Sequence, residues 1–110
     1  MKSLNEIQEN QKILLKGIEH PRLGNVIGLF EEVGELAKEV TDIEVYKEQK
    51  KGALGQECAD VLFSLLSLCD SYGINLSSEY EAKVKEIERK IPDWRLKYTG
   101  ILKALRSKLD

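Results

Sequence analysis

The sequence predicts an all-α fold, and three observations predict it. Two Pro and eight Gly in 110 residues are too few for a chain of short strands and tight turns. Leu, Glu, Lys and Ala, the residues that lose least on entering a helix, dominate. Apolar residues recur at i, i+3, i+4 and i+7 in one segment after another. The length suits one domain, residues 1–110, with a single core.

The first helix is expected to open at Ser3, which with Glu6 fits a capping box, and to carry Leu4, Ile7, Leu14, Leu15 and Ile18 at helical spacing to about Glu19. His20-Pro21 ends it, because the residue before proline is pushed out of the α region. His20, the sole histidine, reads as a solvated turn residue rather than a ligand or base. Asn25 is the expected N-cap of a second helix, VIGLFEEVGELAKEV. Its apolar centre is Val26, Phe30, Val33, Ala37 and Val40, with Leu29 and Leu36 along one edge. Glu32 lies just outside that edge, and Glu35 about 60° further round. Gly28 and Gly34 each cost about 1 kcal/mol relative to Ala, which suggests close approach of a neighbouring helix or a ligand. Thr41 to Gly55 reads as a polar connector whose first part can prolong the helix and whose remainder, with Lys50-Lys51-Gly52, is mobile.

The third helix, QECADVLFSLLSLCDS from Gln56 to Ser71, is apolar around most of its circumference and is expected to be surrounded by other elements. Its one polar stripe holds Gln56, Glu57, Asp60, Ser64, Ser67 and Ser71, and no Lys or Arg occurs from Leu54 to Tyr72. A wet helix face mixes charges of both signs, so this stripe is expected to line a cleft. Cys58 and Cys69 lie eleven apart on its apolar side, cannot bond each other along a straight helix, and read as buried free thiols of a reducing compartment. The helix stops near Tyr72-Gly73. Ser78 and Glu81 fit a capping box for a fourth helix bearing Leu76, Tyr80, Val84, Ile87 and Ile91 on one face and closed by Pro92. Residues 93–110 form a basic amphipathic tail. It spaces Trp94, Tyr98, Ile101, Leu105 and Leu109 as a short final helix beside Arg95, Lys97, Lys103, Arg106 and Lys108, suited to packing or subunit contact more than to nucleic acid or membrane.

Charge is unevenly spread. Residues 1–82 carry 15 acids against 8 bases, and residues 83–110 carry 9 bases against 4 acids. The basic end either packs on an acidic body or meets phosphates. The polar N-terminus shows no signal peptide, and no apolar run is long enough to cross a bilayer, so a cytoplasmic location is expected.

Two acidic pairs, Glu32/Glu35 and Glu57/Asp60, stand on successive helices beside apolar stripes. Antiparallel packing would bring the four carboxylates together as a hard oxygen site suited to Mg²⁺ or Mn²⁺ rather than zinc. Unoccupied, such a cluster is strained by like-charge repulsion.

The residues around these pairs carry a resemblance. EEVGELAKEV followed by ECADVLFSLLSLCDSYGINL resembles the MazG-like, all-α nucleoside triphosphate pyrophosphatases, related to the dUTPase and dCTPase enzymes, whose signature is E-x-x-E, a connector, then E-x-x-D. Here that is Glu32-Val-Gly-Glu35, 21 intervening residues, and Glu57-Cys-Ala-Asp60. The resemblance covers residues 25–92. It implies a four-helix-bundle-like fold assembling as a homodimer or homotetramer, and Mg²⁺-dependent cleavage between the α- and β-phosphates of a (deoxy)nucleoside triphosphate. House-cleaning of non-canonical nucleotides would be the physiological use. It further implies that Glu32, Glu35, Glu57 and Asp60 hold metal, that Glu31 with Glu32 serves catalysis, and that Lys83 and Arg89 reach the phosphates. No membrane or nucleic-acid polymer is expected as a partner. Ile87 stands where relatives carry Asn, and Ser64 where they carry an aromatic, so the metal site looks intact while the specificity pocket looks altered. The competing reading is a non-enzymatic helical oligomerisation module whose acidic pairs sit in structural salt bridges. A di-iron bundle is set aside, because it needs Glu-x-x-His pairs.

Overall fold

Ser3 starts α1 as its sequence demands. Its backbone is extended, its Oγ accepts the Glu6 N–H at 3.2 Å, and the helix runs Leu4–Leu14. The computed structural model describes residues 1–47 and 51–109, excepting the side chains of residues 51 and 52. All regular structure among them is helical: α1, α2 (Arg22–Glu44), α3 (Lys51–Ser71) and α4 (Leu76–Leu109). The chain divides into two units, Met1–Leu76 with the first three helices and Ser77–Asp110 with the rest of α4.

In the first unit α3 is central. Arg22 donates from Nε to the Ser71 carbonyl at 3.0 Å and lies 4.9 Å over the Tyr72 ring, so the start of α2 meets the end of α3. Glu35, further along α2, meets Glu57 near the start of α3, so the two helices are antiparallel. Two glutamines hold α1. Gln8 donates to Asp70 Oδ1 and the Ile74 carbonyl, both at 2.8 Å, and accepts from the Leu76 N–H at 3.0 Å. Gln11 donates to the Phe63 carbonyl at 2.7 Å and to Ser67 Oγ at 2.9 Å. Both are buried, beside Leu66 and Cys69. The inward face of α1 is therefore Leu4, Gln8, Gln11 and Leu15, while Ile7, Leu14 and Ile18 are exposed. A fully bonded amide can occupy a core position that periodicity alone assigns to an apolar residue.

Several boundaries differ from expectation. α1 ends at Leu14, five residues before Glu19, because Gly17 takes φ +87°, where a residue without Cβ turns the chain at little cost. α2 begins at Arg22 straight after Pro21, so Asn25 is inside its first turns, with its Nδ2 3.5 Å from the His20 carbonyl. The helix continues to Glu44, and α3 already runs from Lys51 through Gly52 and Gly55. Outside the helices the stretch is described only at residues 45–47, and residues 48–50, Lys50 of the expected mobile stretch among them, lie outside the described residues. α3 stops where expected. Gly73 is at φ +66°, its N–H bonds the Asp70 carbonyl, and the Ile74 N–H bonds that of Cys69, which is a Schellman cap. α4 starts at Leu76, two residues before Ser78, and passes through Pro92 without ending. Val84, Ile87, Ile91, Trp94 and Tyr98 keep one helical phase across the proline, and only one backbone donor is lost there.

The faces of α2 and α3 also differ from expectation. The side of α2 turned to α3 carries Asn25, Leu29, Glu32, Leu36, Glu39 and Ile43, a spacing of three and four. Phe30 (73% exposed), Val33 and Val40, expected at the apolar centre, face away. On α3, Cys69 is buried but Cys58 is exposed, as are Leu62 and Phe63. No helix among the described residues is long and apolar enough to cross a membrane.

Gln8→Ala is expected to strip partners from Asp70, the Ile74 carbonyl and the Leu76 N–H together. It should cost about 2–3 kcal/mol in urea unfolding, whereas Lys97→Ala, at an exposed ion pair, should change stability by less than about 0.5 kcal/mol.

Candidate functional site

The inward stripe of α2 and the polar stripe of α3 meet at acids. One carboxylate oxygen each from Glu32, Glu35 and Glu57 lies within 4.8 Å of the others. Glu32 and Glu57 are half-buried and Glu35 is exposed, so the group sits at the edge of the helix seam. Oε2 of Glu32 and Oε2 of Glu57 are each buried, with no hydrogen-bond partner among the described residues. A buried carboxylate oxygen without a donor is costly.

The titration of these groups reflects that cost. Burial, then the charges of Glu35 and Asp60, holds Glu32 above the usual carboxylate range. Burial, then Glu35, Asp60 and Glu32, does the same to Glu57. Glu35, exposed at the edge of the seam, thus acts on both. Asp60 is exposed, one turn after Glu57, and acts on both electrostatically, though its oxygens lie outside the group of three. Glu31 is exposed and also raises Glu32. No ion pair among the described residues involves Glu32, Glu35, Glu57 or Asp60. Oxygen donors alone, two of them buried and unpartnered, fit a hard divalent cation.

Glu39 was not singled out by the sequence pattern. It lies seven residues beyond Glu32 on the same face and also has an Oε2 that is buried without a partner among the described residues. The signal for it was the run Leu29, Glu32, Leu36, Glu39 along one edge of α2.

On the other side of Glu32 the seam opens. A cavity of about 250 Å³ is lined by His20, Gly24, Asn25, Gly28, Phe63, Ser64 and Ser67. A Cβ added at Gly28 would meet nothing within 4 Å, so this glycine borders empty space and not a closely packed helix. The same holds at Gly34, which is exposed. Ser64 is half-buried in the cavity wall. In the second unit, Lys83 is engaged by Glu86 at 3.0 Å, Arg89 is exposed and Ile87 is half-buried. Glu86 also bonds Lys90 at 2.9 Å, and Lys90, then Lys83, brings its carboxyl down to about 2.

A carboxylate whose pKa is raised by folding adds stability below its unfolded value and withdraws it as pH rises through the folded value. Metal-free protein should therefore melt higher in mild acid than at neutral pH. Below about pH 4.5 the trend should reverse, as Glu86 and Glu19, whose pKa values folding lowers, become protonated. Glu35→Gln should raise the neutral-pH melting temperature of metal-free protein and flatten the mild-acid gain. A melting series with chelator checks both.

The family model of the MazG nucleotide pyrophosphohydrolase domain matches residues 22–94. Both acidic pairs and the motifs around them fall inside that span. Neither a curated protein nor a solved structure matches the chain. The all-helical architecture agrees with the family match, which covers more than half of the sequence, and the chain belongs to the MazG nucleotide pyrophosphohydrolase domain family.

Proposed function

We propose that this chain is a Mg²⁺-dependent nucleoside triphosphate pyrophosphohydrolase, also served by Mn²⁺, that converts a (deoxy)nucleoside triphosphate to its monophosphate and pyrophosphate. House-cleaning of non-canonical nucleotides is its proposed use. The observation that carries this reading is the group of Glu32, Glu35 and Glu57 with two buried, unpartnered oxygens, in a chain of this family. Glu32, Glu35, Glu57 and Asp60 would hold the ion. When bound, Mg²⁺ neutralises phosphate charge and acidifies water at the site. Asp60, exposed beside the half-buried Glu32 and Glu57, completes the donor set from α3. Glu31 accepts the proton of the attacking water, and Glu32 aligns that water through its carboxylate. Lys83 and Arg89 bind the phosphate chain. Lys83 must leave Glu86 to do so, at the small cost of an exposed ion pair.

The protein is proposed to act as a single MazG-like domain over residues 1–110, as a cytoplasmic homodimer or homotetramer, with no membrane or nucleic-acid polymer as partner. Support for assembly comes from apolar stripes exposed on α2, at Ile27, Phe30 and Val33, and on α4, at Tyr98, Ile101 and Leu105. The alternative, a non-enzymatic module with its acidic pairs in salt bridges, lacks such bridges among the described residues.

Purified protein with Mg²⁺ is expected to release pyrophosphate from at least one triphosphate of a panel of canonical, deoxy and damaged nucleotides. Glu35→Gln or Asp60→Asn should lower the rate at least about 100-fold while the helical circular dichroism persists. Mg²⁺ at about 100 times its Kd should stabilise wild type by about 2.7 kcal/mol. A protein inert on the whole panel and unstabilised by Mg²⁺ or Mn²⁺ would be the module instead.

A further inference from the structure

We infer that α4 pairs with α4 of a second copy of this chain as an antiparallel two-stranded coiled coil along residues 80–105. The inference goes beyond the proposed reaction and does not depend on it. It assigns the surface, the direction and the register of one subunit contact.

Spacing comes first. From Tyr80 to Leu105, apolar side chains recur at alternating intervals of four and three residues, at positions 80, 84, 87, 91, 94, 98, 101 and 105. A mean interval of about 3.5 keeps one narrow seam in line along two supercoiled helices, whereas a helix packed on a globular body carries a wider stripe. Five of the eight, Trp94 and Tyr98 among them, are exposed. Pro92 stands outside the seam in this repeat, so neither its ring nor its missing donor interrupts the contact. The family match ends at residue 94, while the repeat runs on to Leu105 in unbroken phase, so much of this surface lies outside the matched domain.

Size and charge then set the direction. In a parallel pair each seam residue meets its own copy, so Tyr80, Trp94 and Tyr98 would each face an identical ring. An antiparallel pair about a two-fold axis near Pro92 instead sets Tyr80 against Leu105, Val84 against Ile101, Ile87 against Tyr98 and Ile91 against Trp94. Every ring then meets an aliphatic side chain, the alternation of large and small that fills a core. From Trp94 to Leu109 the helix carries five bases and no acid. Two such segments side by side repel. Reversed, each lies beside residues 76–93, where five acids outnumber four bases. On one flank of the seam Glu88 comes opposite Arg95, once on each side of the axis. On the other flank Lys90 comes opposite Lys97, and each is already engaged within its own helix, Lys90 by Glu86 at 2.9 Å and Lys97 by Asp93 at 3.3 Å.

The test uses the full chain and sedimentation equilibrium. Ile101→Glu should halve the assembled mass, from dimer to monomer or from tetramer to dimer. Glu88→Arg and Arg95→Glu should each weaken association roughly 5- to 30-fold, and the double exchange Glu88→Arg/Arg95→Glu should restore it. Residues 88 and 95 are two turns apart on one helix and do not meet there, so such a rescue acts between copies. A spin label on Ser107→Cys, in a Cys58→Ser chain whose Cys69 is buried, reads the direction. The antiparallel register should separate the two labels by about 45 Å, and a parallel pair would hold them within about 25 Å. A monomeric wild type, an Ile101→Glu chain of unchanged mass, a charge exchange without rescue or the short label distance would each overturn the inference. If Ile101→Glu does not fold, the charge exchange and the label distance decide. Pyrophosphate release is measured separately, so loss of this contact and failure of the proposed reaction are told apart.

Discussion

The crowding of Glu32, Glu35 and Glu57 across the α2–α3 seam is the constraint on which the rest of the molecule depends. Three carboxylates at this range repel one another, and burial of Glu32 and Glu57 adds to the cost. No base among the described residues neutralises them, so the seam is held together by contacts elsewhere. Arg22 on Ser71 and Tyr72 closes its far end, and Leu29 and Leu36 flank Glu32 on the packed face of α2. A fold that keeps such a cluster carries a local instability that a bound divalent cation relieves. This is why the acids read as a site rather than as surface decoration.

The other helices explain how the acids keep their places. α3 presents Glu57 and Asp60 in one direction and, further along, Ser67 and Asp70 towards α1, where Gln8 and Gln11 bind them. Those amides set the position of α3 against α1 with direction as well as proximity, since each bond needs a particular geometry. The Schellman cap at Gly73 then fixes where α3 ends and brings the Ile74 carbonyl and Leu76 N–H to Gln8. One rigid helix therefore links a polar anchor to an acidic centre, with an open cleft between them at Phe63, Ser64 and Ser67. A site carried by helix walls needs little ordering when a ligand arrives.

Much of this was legible in the sequence, because it was written in local spacing. The Ser3 cap, the Gly73 stop, the all-α class and the placing of Glu32 and Glu57 at stripe edges each need only a few neighbouring residues. Gln8 and Gln11 were not legible as core, since their partners on α3 lie more than 50 residues away and a helical wheel places a lone glutamine in water. The packed face of α2 was misplaced for a related reason. Apolar residues cover two of its sides, and the wider stripe at Phe30 and Val33 outweighed the narrower one at Leu29 and Leu36 that meets α3. Glycine and proline were weighted too heavily at Gly52, Gly55 and Pro92. Helical phase continues through each of them, and propensity gives way to context.

The central claim is that these acids share a hard divalent ion, and a crystal structure of the protein grown with Mn²⁺ tests it most directly. The account predicts an anomalous peak within about 2.5 Å of carboxylate oxygens from both α2 and α3, Glu35 and Glu57 among them. A map in which Mn²⁺ binds elsewhere, or nowhere, while those carboxylates remain grouped would contradict it.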